Sequence, residues 1–311
     1  MSLQETPPRP EEAAILISVI VPAYNYGHLL TRMLDSVVVQ LDGQTELIVV
    51  DDGSTDATPA VLAGYRARVP QLQIVHQINA GAGAARNHGV RLARGSYVLP
   101  LDADDELLPG ALATLIDAIT ANPGVGIFIG GHVSVFADGR ERLHLPGSIS
   151  SSPVVRVKDY LIDKRISISH GSTLFRRDLL LACPYAEHLP YSEDIPVFAY
   201  VLAHSEAITL SRPLARIHKH SDSLRHRRNP DGQLVHQLTQ AVFNRLPAEC
   251  QFMRRTYEAQ RMLSQFRAAA VEHPKTAQAI YRQAFRLSPL QAMRWPNLVR
   301  FVRLLYQGKK A

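Results

Sequence analysis

Three carboxylates stand close together in the segment SYVLPLDADDELLPGAL (96–112), namely Asp102, Asp104 and Asp105. They follow the apolar stretch 97–101, which predicts a buried strand. Like charges at this spacing repel one another and raise one another's pKa, and a bound cation would remove that cost. Because carboxylate oxygens are hard ligands, the pattern indicates Mg²⁺ or Mn²⁺ rather than a soft metal.

A plain structural role is the alternative for this acidic segment. Strand ends and helix starts are ordinary places for Asp, which accepts hydrogen bonds from free backbone N–H groups there. Pro109 is predicted to lie in the first turn of the next helix, where its missing N–H costs nothing. The segment alone does not separate a cation site from a helix cap, so the remaining chain must decide.

Four apolar, β-branched stretches alternate with helix-like segments in the first third of the chain. This rhythm predicts an α/β fold with a mostly parallel, doubly wound sheet and helices on both faces. Ligands of such sheets bind at the carboxyl ends of the strands. The polar residues predicted at those ends are Asn25, Asp51, Asp52, Asn79 and Asp102 to Asp105.

The middle of the chain predicts a looser arrangement of strands, helices and one long loop. The polar segment 137–153 is predicted as a loop, and 189–204 as a helix with Ser192 as its N-cap. Further strands are predicted at 125–136 and 207–220, and a strand that enters a helix at 170–180.

Charge divides the 311 residues unevenly. From Arg225 onward there are 16 Lys and Arg against 4 Asp and Glu, a net of +12, which leaves 18 against 24, a net of −6, before that point. We therefore predict a main domain at 15–224 and a basic helical region at 225–311. Residues 1–14 are polar and Pro-rich, unlike a signal peptide, and are predicted to be a disordered tail. Two cysteines favour a reducing compartment.

A glycine-rich helix start follows the third predicted strand. Gly81 and Gly83 there could expose backbone N–H groups to phosphate oxygens, and Arg86 would add positive charge. Close packing of the helix on the sheet explains the two glycines equally well.

Two further pairs of residues could do chemistry. Glu193 and Asp194 stand at a predicted helix start, where an acid either complements the helix dipole or serves as a general base. His218 and His220 alternate in an extended segment and so share one face, where they could reach a metal or a diphosphate. A surface histidine pair is the alternative.

Five motifs in order give the chain a resemblance to one family. SVIVPAYN, VVDDGSTDAT, NAGAGAARNHGV, DADDELLP and SED resemble the nucleotide-sugar glycosyltransferases of family two, which have the GT-A fold. The resemblance covers about 17–223 and leaves the basic C-terminal region unmatched. The segment 137–165 matches no motif, and in this family that part of the chain usually sets acceptor specificity.

The resemblance implies roles for individual residues. Asp194 would be the catalytic base, and Mg²⁺ or Mn²⁺ would be the cofactor. The late pattern R-x-H-x-x-S-x-S fits Arg216, His218, Ser221 and Ser223, although the aromatic residue that often precedes it is Ala215 here. The donor-binding residues would be Pro22, Tyr24, Asn25, Asp51, Asp52, Arg86, Asn87, Asp102 and Asp104, and the metal site would draw on Asp104, Asp105, His218 and His220.

The expected function is that of an inverting glycosyltransferase in the synthesis of bacterial polysaccharide or lipopolysaccharide. It would move a sugar from a nucleotide-diphosphate donor to a saccharide or lipid-linked acceptor in the cytoplasm. The apolar stripe Leu298, Phe301, Val302 and Leu305 predicts an amphipathic helix that could dock on an anionic membrane. Packing of the stripe against the catalytic domain, with the charges simply in solvent, is the alternative. No nucleic-acid partner is expected, since the positive charge is confined to the C-terminal region.

Two other functions compete with this reading. A nucleotidyltransferase also builds a nucleotide site on an α/β sheet, but it usually carries a Gly-rich basic loop where this chain has PAYNYGHLL. A non-catalytic nucleotide-sugar or anion-binding protein would need none of the carboxylates, and all of them are present.

Overall fold

The structure is a computed structural model that describes residues 14–219 and 232–307. Its first third alternates strands and helices as the apolar pattern predicts. Each strand is a short run of β-branched and apolar residues, and each helix carries its apolar residues on the face toward the sheet. The elements are β1 (Ile17–Ala23), α1 (Gly27–Val38), β2 (Thr45–Asp51), α2 (Thr58–Arg66), β3 (Leu72–His76), α3 (Ala82–Leu92) and β4 (Tyr97–Pro100).

The first four strands form the parallel half of the sheet. β1 pairs with both β2 and β4, and β2 pairs with β3, all in parallel. Ala23 at the end of β1 lies opposite Asp51 at the end of β2, so the polar residues that follow these strands meet at one edge. The predicted doubly wound arrangement is therefore confirmed.

The second half of the sheet mixes parallel and antiparallel pairs, in the overall order β3-β2-β1-β4-β8-β6-β9-β5, with β7 paired to β6. β8 joins the parallel half by pairing antiparallel to β4. The elements are β5 (Glu106–Leu107), α4 (Ala111–Ala121), β6 (Ile127–Phe136), β7 (Glu141–His144), α5 (Pro153–Leu161), β8 (Thr173–Arg176), α6 (Arg177–Ala182), α7 (Ile195–His204) and β9 (Ala207–Lys219).

Two apolar layers cover the faces of the sheet. Ile20 of β1 belongs to one layer, and its neighbours Val19 and Val21 belong to the other. Because both faces are buried, β1 reads as a continuous apolar run rather than an alternating one. Gly89 of α3 allows close helix packing, since a Cβ there would lie 2.4 Å from Cγ2 of Ile20.

Three local predictions need correction. The helix after the acidic segment begins at Ala111, so Pro109 precedes it, and Gly110 makes the left-handed entry with φ +77°. The predicted loop 137–153 contains β7, which pairs with β6. Ser192 is not an N-cap, because α7 begins at Ile195 with Asp194 at the cap position.

The C-terminal region packs against the sheet domain through its first helices. Tyr257, at the start of α9, is buried in the main core, and Phe266 further along α9 belongs to a separate apolar cluster. Within 14–219 and 232–307, no helix has the length and apolar character needed to cross a bilayer. The elements are α8 (Gly232–Phe243), a 3₁₀ segment (Ala248–Met253), α9 (Arg254–Ala269), α10 (Pro274–Leu287), α11 (Pro289–Ala292) and α12 (Trp295–Gln307).

Candidate functional site

A buried arginine joins two of the predicted site carboxylates. Nη2 of Arg86 lies 2.7 Å from Oδ1 of Asp102, and its Nη1 lies 2.9 Å from Oε1 of Glu193. α3 supplies Arg86, the segment after β4 supplies Asp102, and the turn before α7 supplies Glu193. The fold thus gathers three motifs that are far apart in sequence at the carboxyl edge of the parallel strands.

The positive charge of Arg86 is stabilised by the negative charges of Asp102 and Glu193. Burial opposes the charge of Arg86, but Asp102, the ring of Tyr185 and Glu193 outweigh it, so the pKa of Arg86 is raised and the guanidinium stays charged. Its Nε is buried and has no hydrogen-bond partner within the described ranges. Arg86 therefore stands as a fixed cation next to Asp102.

Asp105 and His218 tie the acidic segment to β9. Oδ1 of Asp105 accepts the backbone N–H of His218 at 2.9 Å, and Nε2 of His218 lies 2.6 Å from Oε1 of Glu106. Nη2 of Arg32 donates to the backbone carbonyl of Asp104 at 2.7 Å. Asp105 is therefore turned inward, whereas the side chain of Asp102 stays 37% exposed.

The acidic segment has the electrostatics expected of a cation site. Burial and the charges of Asp102 and Asp104 raise the pKa of Asp105 well above its ordinary value, and a divalent cation would relieve that repulsion. In the part of the chain described, no three Asp, Glu, His or Cys side chains already form a metal-binding group. His220, the other predicted metal ligand, lies outside the described residues, as do Ser221 and Ser223 of the late pattern.

The predicted nucleotide end of the site lies between the turns after β1 and β2. Asn25 has φ +59°, and its Oδ1 accepts the backbone N–H of Thr55 at 2.8 Å. Oδ2 of Asp51 lies 2.9 Å from Nδ1 of His76. Pro22 is buried in β1, whereas Tyr24 is 46% exposed and so open to a ligand.

Two predicted donor-binding residues instead support the loops around the site. The carboxylate of Asp52 accepts the backbone N–H groups of Ala80 and Gly81, both at 2.8 Å, which fixes the entry to α3. Asn87 is buried, and its side chain exchanges hydrogen bonds with the backbone of Tyr185 at 2.8 and 2.9 Å. A nucleotide contact by either residue stays a prediction.

The two glycines at the start of α3 have different roles. A Cβ at Gly83 would lie 3.2 Å from Cγ of Glu193, so this glycine lets the turn before α7 approach the helix. Gly81 has φ +92°, a conformation that favours glycine, and a Cβ there would meet nothing within 4 Å. Close packing therefore accounts for Gly83, and turn geometry for Gly81.

Asp194 occupies an environment suited to a proton acceptor. Burial, followed by the charge of Glu193, raises the pKa of Asp194 to about 6, although Arg86 pulls it down. The carboxylate is therefore ionised at neutral pH and is more basic than an ordinary Asp. Its charge in turn adds to burial in raising the pKa of Tyr160 and Tyr257.

Sequence reasoning missed several residues of this site. The buried imidazole of His170 lies 3.8 Å from Oδ1 of Asp102 and 3.2 Å from the hydroxyl of Tyr185. Arg261 of α9 donates to Oγ of Ser192, next to Glu193, at 3.1 Å. The sequence signal for His170 was the His-Gly pair before β8. Nothing in the local sequence connects Arg261 to Ser192, which lies 69 positions earlier.

Comparison with known proteins places the chain among glycosyltransferases. Residues 18–182 match the family model described as "Glycosyl transferase family 2". The uncharacterized glycosyltransferase YibD of Escherichia coli (strain K12) is 40% identical over 100 residues, 32% of this chain and 29% of that protein. Chondroitin synthase of Escherichia coli is 39% identical over 102 residues, 33% of this chain and 15% of that protein. The chain thus matches less than a third of the length of these relatives.

Solved structures resemble the chain over nearly its whole length. S. aureus TarS 1–349 in complex with UDP-GlcNAc has a TM-score of 0.67 and 18% identity, covering 95% of this chain and 92% of that one. Mannosyltransferase PcManGT from Pyrobaculum calidifontis, in complex with GDP-Man and Mn²⁺, has a TM-score of 0.55 and 19% identity, covering 97% and 88%. The predicted GT-A fold with C-terminal helices is confirmed.

Proposed function

Since the chain belongs to glycosyl transferase family 2, we propose that it is an inverting glycosyltransferase of bacterial polysaccharide or lipopolysaccharide synthesis. It would take a sugar from a nucleotide-diphosphate donor and attach it to a saccharide or lipid-linked saccharide. The observation that carries this proposal is the meeting of Arg86, Asp102, Glu193 and Asp194 at one edge of the sheet. It places a fixed cation and a basic carboxylate side by side.

The donor end needs groups that stabilise a leaving diphosphate. Arg86 offers a buried positive charge, and fixed charges in a dry site stabilise developing negative charge strongly. Asp102 and Asp104 would hold Mg²⁺ or Mn²⁺, because both are hard-oxygen ligands left partly exposed at the sheet edge. The ion, when bound, neutralises the diphosphate. Asn25, Tyr24 and Asp51 would face the nucleoside.

The part of the site that would bind the sugar acceptor, here called the acceptor end, needs one base to remove a proton from the attacking hydroxyl. Asp194, with its pKa near 6, would remove the proton from the attacking hydroxyl as the new glycosidic bond forms. We assign Asp194 as the base and assign no residue of the described site as a covalent nucleophile. One displacement without a covalent intermediate inverts the anomeric centre, as it does in inverting glycosidases.

A panel of sugar nucleotides tests the proposal. Incubation with each donor and Mn²⁺ should release a nucleoside diphosphate, slowly without acceptor and faster with one. Nuclear magnetic resonance of the product should show an inverted anomeric centre. Consumption of added pyrophosphate, with formation of a nucleoside triphosphate and a sugar 1-phosphate, would instead indicate a nucleotidyltransferase, and binding without turnover would indicate a non-catalytic protein.

The C-terminal helix presents a different apolar surface from the predicted stripe. Phe301 packs on the C-terminal cluster and Leu304 is buried, whereas Val302 and Leu305 are exposed. Trp295 is 77% exposed and lies seven residues before Val302, so on the same side of α12. Of the predicted stripe, Val302 and Leu305 therefore face outward, whereas Phe301 packs inward. The outward surface of Trp295, Val302 and Leu305 is flanked by the exposed Arg300 and Arg303.

This surface suits an anionic membrane on the cytoplasmic side. Exposed apolar residues can enter the headgroup region, and each nearby basic residue contributes about 1 kcal/mol of attraction to anionic lipid, which salt screens. We expect sedimentation with vesicles that contain phosphatidylserine and none with neutral phosphatidylcholine. Trp295→Ser combined with Val302→Ser should lower that binding.

A matched control distinguishes membrane binding by α12 from non-specific hydrophobic adsorption to vesicles. Phe252 is 66% exposed and lies elsewhere on the C-terminal region, in the 3₁₀ segment, so Phe252→Ser should leave vesicle binding unchanged. Equal binding of the Trp295/Val302 double variant and the unaltered protein would remove the membrane role of α12.

A further inference from the structure

Four large polar side chains form a cluster near Asp194, in which two cations approach one aromatic ring. Tyr160 lies at the end of α5 and Lys164 in the turn that follows, while Tyr257 and Arg261 belong to α9. Nζ of Lys164 and Cζ of Arg261 each lie 5.9 Å from the ring centroid of Tyr257. Two cations thus approach the same aromatic side chain.

Neither of these two cations forms an ion pair within residues 14–219 and 232–307. Nζ of Lys164 makes a long hydrogen bond of 3.4 Å to the carbonyl of Tyr160, and Arg261 donates to Ser192. Neighbouring basic residues differ, since Lys158 pairs with Asp163 at 2.5 Å and Arg165 with Asp159 at 3.6 Å. Among the described residues, Lys164 and Arg261 therefore differ from their basic neighbours in having no carboxylate partner.

A buried hydroxyl beside the two cations also lacks a partner. Tyr257 is fully buried, and its hydroxyl has no hydrogen bond in the described part of the chain. An unsatisfied buried polar group costs free energy unless something pairs with it. Lys164 is moreover held at φ +57°, a conformation that is unusual for a residue with a side chain.

Electrostatics show that the two cations repel each other. Lys164 is exposed at the surface, and the partial burial of its side chain, followed by the charge of Arg261, lowers its pKa to about 8. An anion placed between them would reverse that shift and gain charge-assisted hydrogen bonds from both. Arg86, by contrast, is already paired with two carboxylates at the donor end.

We propose that Lys164 and Arg261 bind an oxyanion of the acceptor, a phosphate or a carboxylate close to the sugar that carries the attacking hydroxyl. A contact connects this pair to the reaction, because Arg261 donates at 3.1 Å to Oγ of Ser192, two residues before the proposed base Asp194. The inference rests on the proposed function and narrows its acceptor to an anionic glycan or glycan phosphate.

Binding of an anion by Lys164 and Arg261 should depend on pH. The groups that face Lys164 are Arg261, the Tyr257 ring and the Tyr160 carbonyl. Burial raises the pKa of Tyr257 to about 12 and that of Tyr160 well above its ordinary value. Lys164 is therefore the group of this cluster that titrates near neutral pH, and affinity for an anionic acceptor should fall as pH rises through about 8.

Calorimetry with matched small probes tests the site on the full chain with a nucleoside diphosphate and Mn²⁺ present. The probes are glycerol 3-phosphate against glycerol, and methyl glucuronide against methyl glucoside. We expect binding of one charged probe and none of its neutral partner, which also identifies the oxyanion as phosphate or carboxylate. Lys164→Gln should weaken that binding about tenfold or more.

Two variants make the result specific. Lys164→Arg keeps the charge at all accessible pH values, so it should keep binding and lose the decline above pH 8. Arg165→Gln removes an adjacent charge already paired with Asp159 and should change nothing. Equal binding of charged and neutral probes, or full binding by Lys164→Gln, would overturn the proposal.

The glycosyltransferase activity and the anion site can be disproved independently of each other. Slow release of nucleoside diphosphate from the donor without acceptor reports the donor site alone. Release without selectivity for charged probes would reject the anionic acceptor while keeping the glycosyltransferase. Selective, Lys164-dependent anion binding with no donor turnover would keep the anion site and reject the glycosyltransferase.

Discussion

Asp194→Asn should keep donor binding and lose sugar transfer by about 10²- to 10⁴-fold, the range usual for removal of a general base. Asparagine has nearly the same shape but cannot accept the acceptor's proton. The pKa of Asp194 is raised to about 6, first by burial and then by Glu193. For the unaltered protein we therefore expect kcat/KM to rise with pH through about 6, because the base acts only when ionised. It should then stay level until the decline through about pH 8 that is expected from Lys164 with an anionic acceptor.

Two controls decide whether that loss belongs to the base. Asp178 also stands in the first turn of a helix, but it is exposed and paired with Arg176, so Asp178→Asn should leave transfer unchanged. Glu193→Gln should mainly weaken donor binding, because Glu193 holds Arg86. If Glu193→Gln removes the acidic limb of the pH profile and Asp194→Asn retains it, the base is Glu193.

The same pKa predicts what the substitution does to stability. A carboxyl group whose pKa is raised by folding contributes stability below its unfolded pKa near 4, and that contribution is lost as pH rises through about 6. At pH 7.5 Asp194 is a charge held in an unfavourable environment. The neutral asparagine should therefore melt no lower than the unaltered protein, which separates lost catalysis from unfolding.

The parallel half of the fold could be predicted because its signals are local. Strands buried on both faces require continuous apolar runs, and β1 and β2 have them. The residues after such strands must lie at one sheet edge, which is why Asp51 and Asp102 were placed near the site. Alternation of strand and helix signals then fixes the parallel order with little ambiguity.

The pairings within the site could not be predicted, because they join positions far apart in sequence. Arg86 reads as a phosphate ligand from its glycine-rich neighbours, yet it bridges Asp102 and Glu193. Asn87 stands in the same motif but holds the backbone of Tyr185. A sequence motif predicts which residue types lie at the sheet edge, but which of them form hydrogen bonds or ion pairs depends on the packing of the whole fold.

The contacts of the basic C-terminal region with the main domain could not be predicted for a similar reason. Its charge excess dominates the sequence, yet its first helices bury Val242 and Tyr257 in the main core. α9 then brings Arg261 to the turn that carries Glu193 and Asp194. Net charge reports on the exposed surface, and only the packed structure shows that part of this region borders the proposed acceptor end.

Asp104→Ala should abolish transfer together with metal-dependent binding of the nucleoside diphosphate. Asp104 is a partly exposed carboxylate beside Asp102, and these two residues are the proposed pair of hard ligands. Because Asp102 is also paired with Arg86, loss of Asp104 leaves the cation without its other carboxylate ligand. The fold should survive, because the contact of residue 104 with Arg32 uses the backbone carbonyl. Calorimetry of the nucleoside diphosphate with and without Mn²⁺ measures the effect.

The comparison that matters is the change in affinity on adding Mn²⁺, not the affinity itself. The unaltered protein should bind the nucleoside diphosphate more tightly with the ion, and Asp104→Ala should bind it equally with and without. Asp138→Ala removes an exposed carboxylate paired with Arg140 in the turn between β6 and β7, so it should keep the Mn²⁺ effect in full. A full Mn²⁺ effect in Asp104→Ala would remove this residue from the metal site, while a lost effect with unchanged melting temperature would place the ion at the acidic segment.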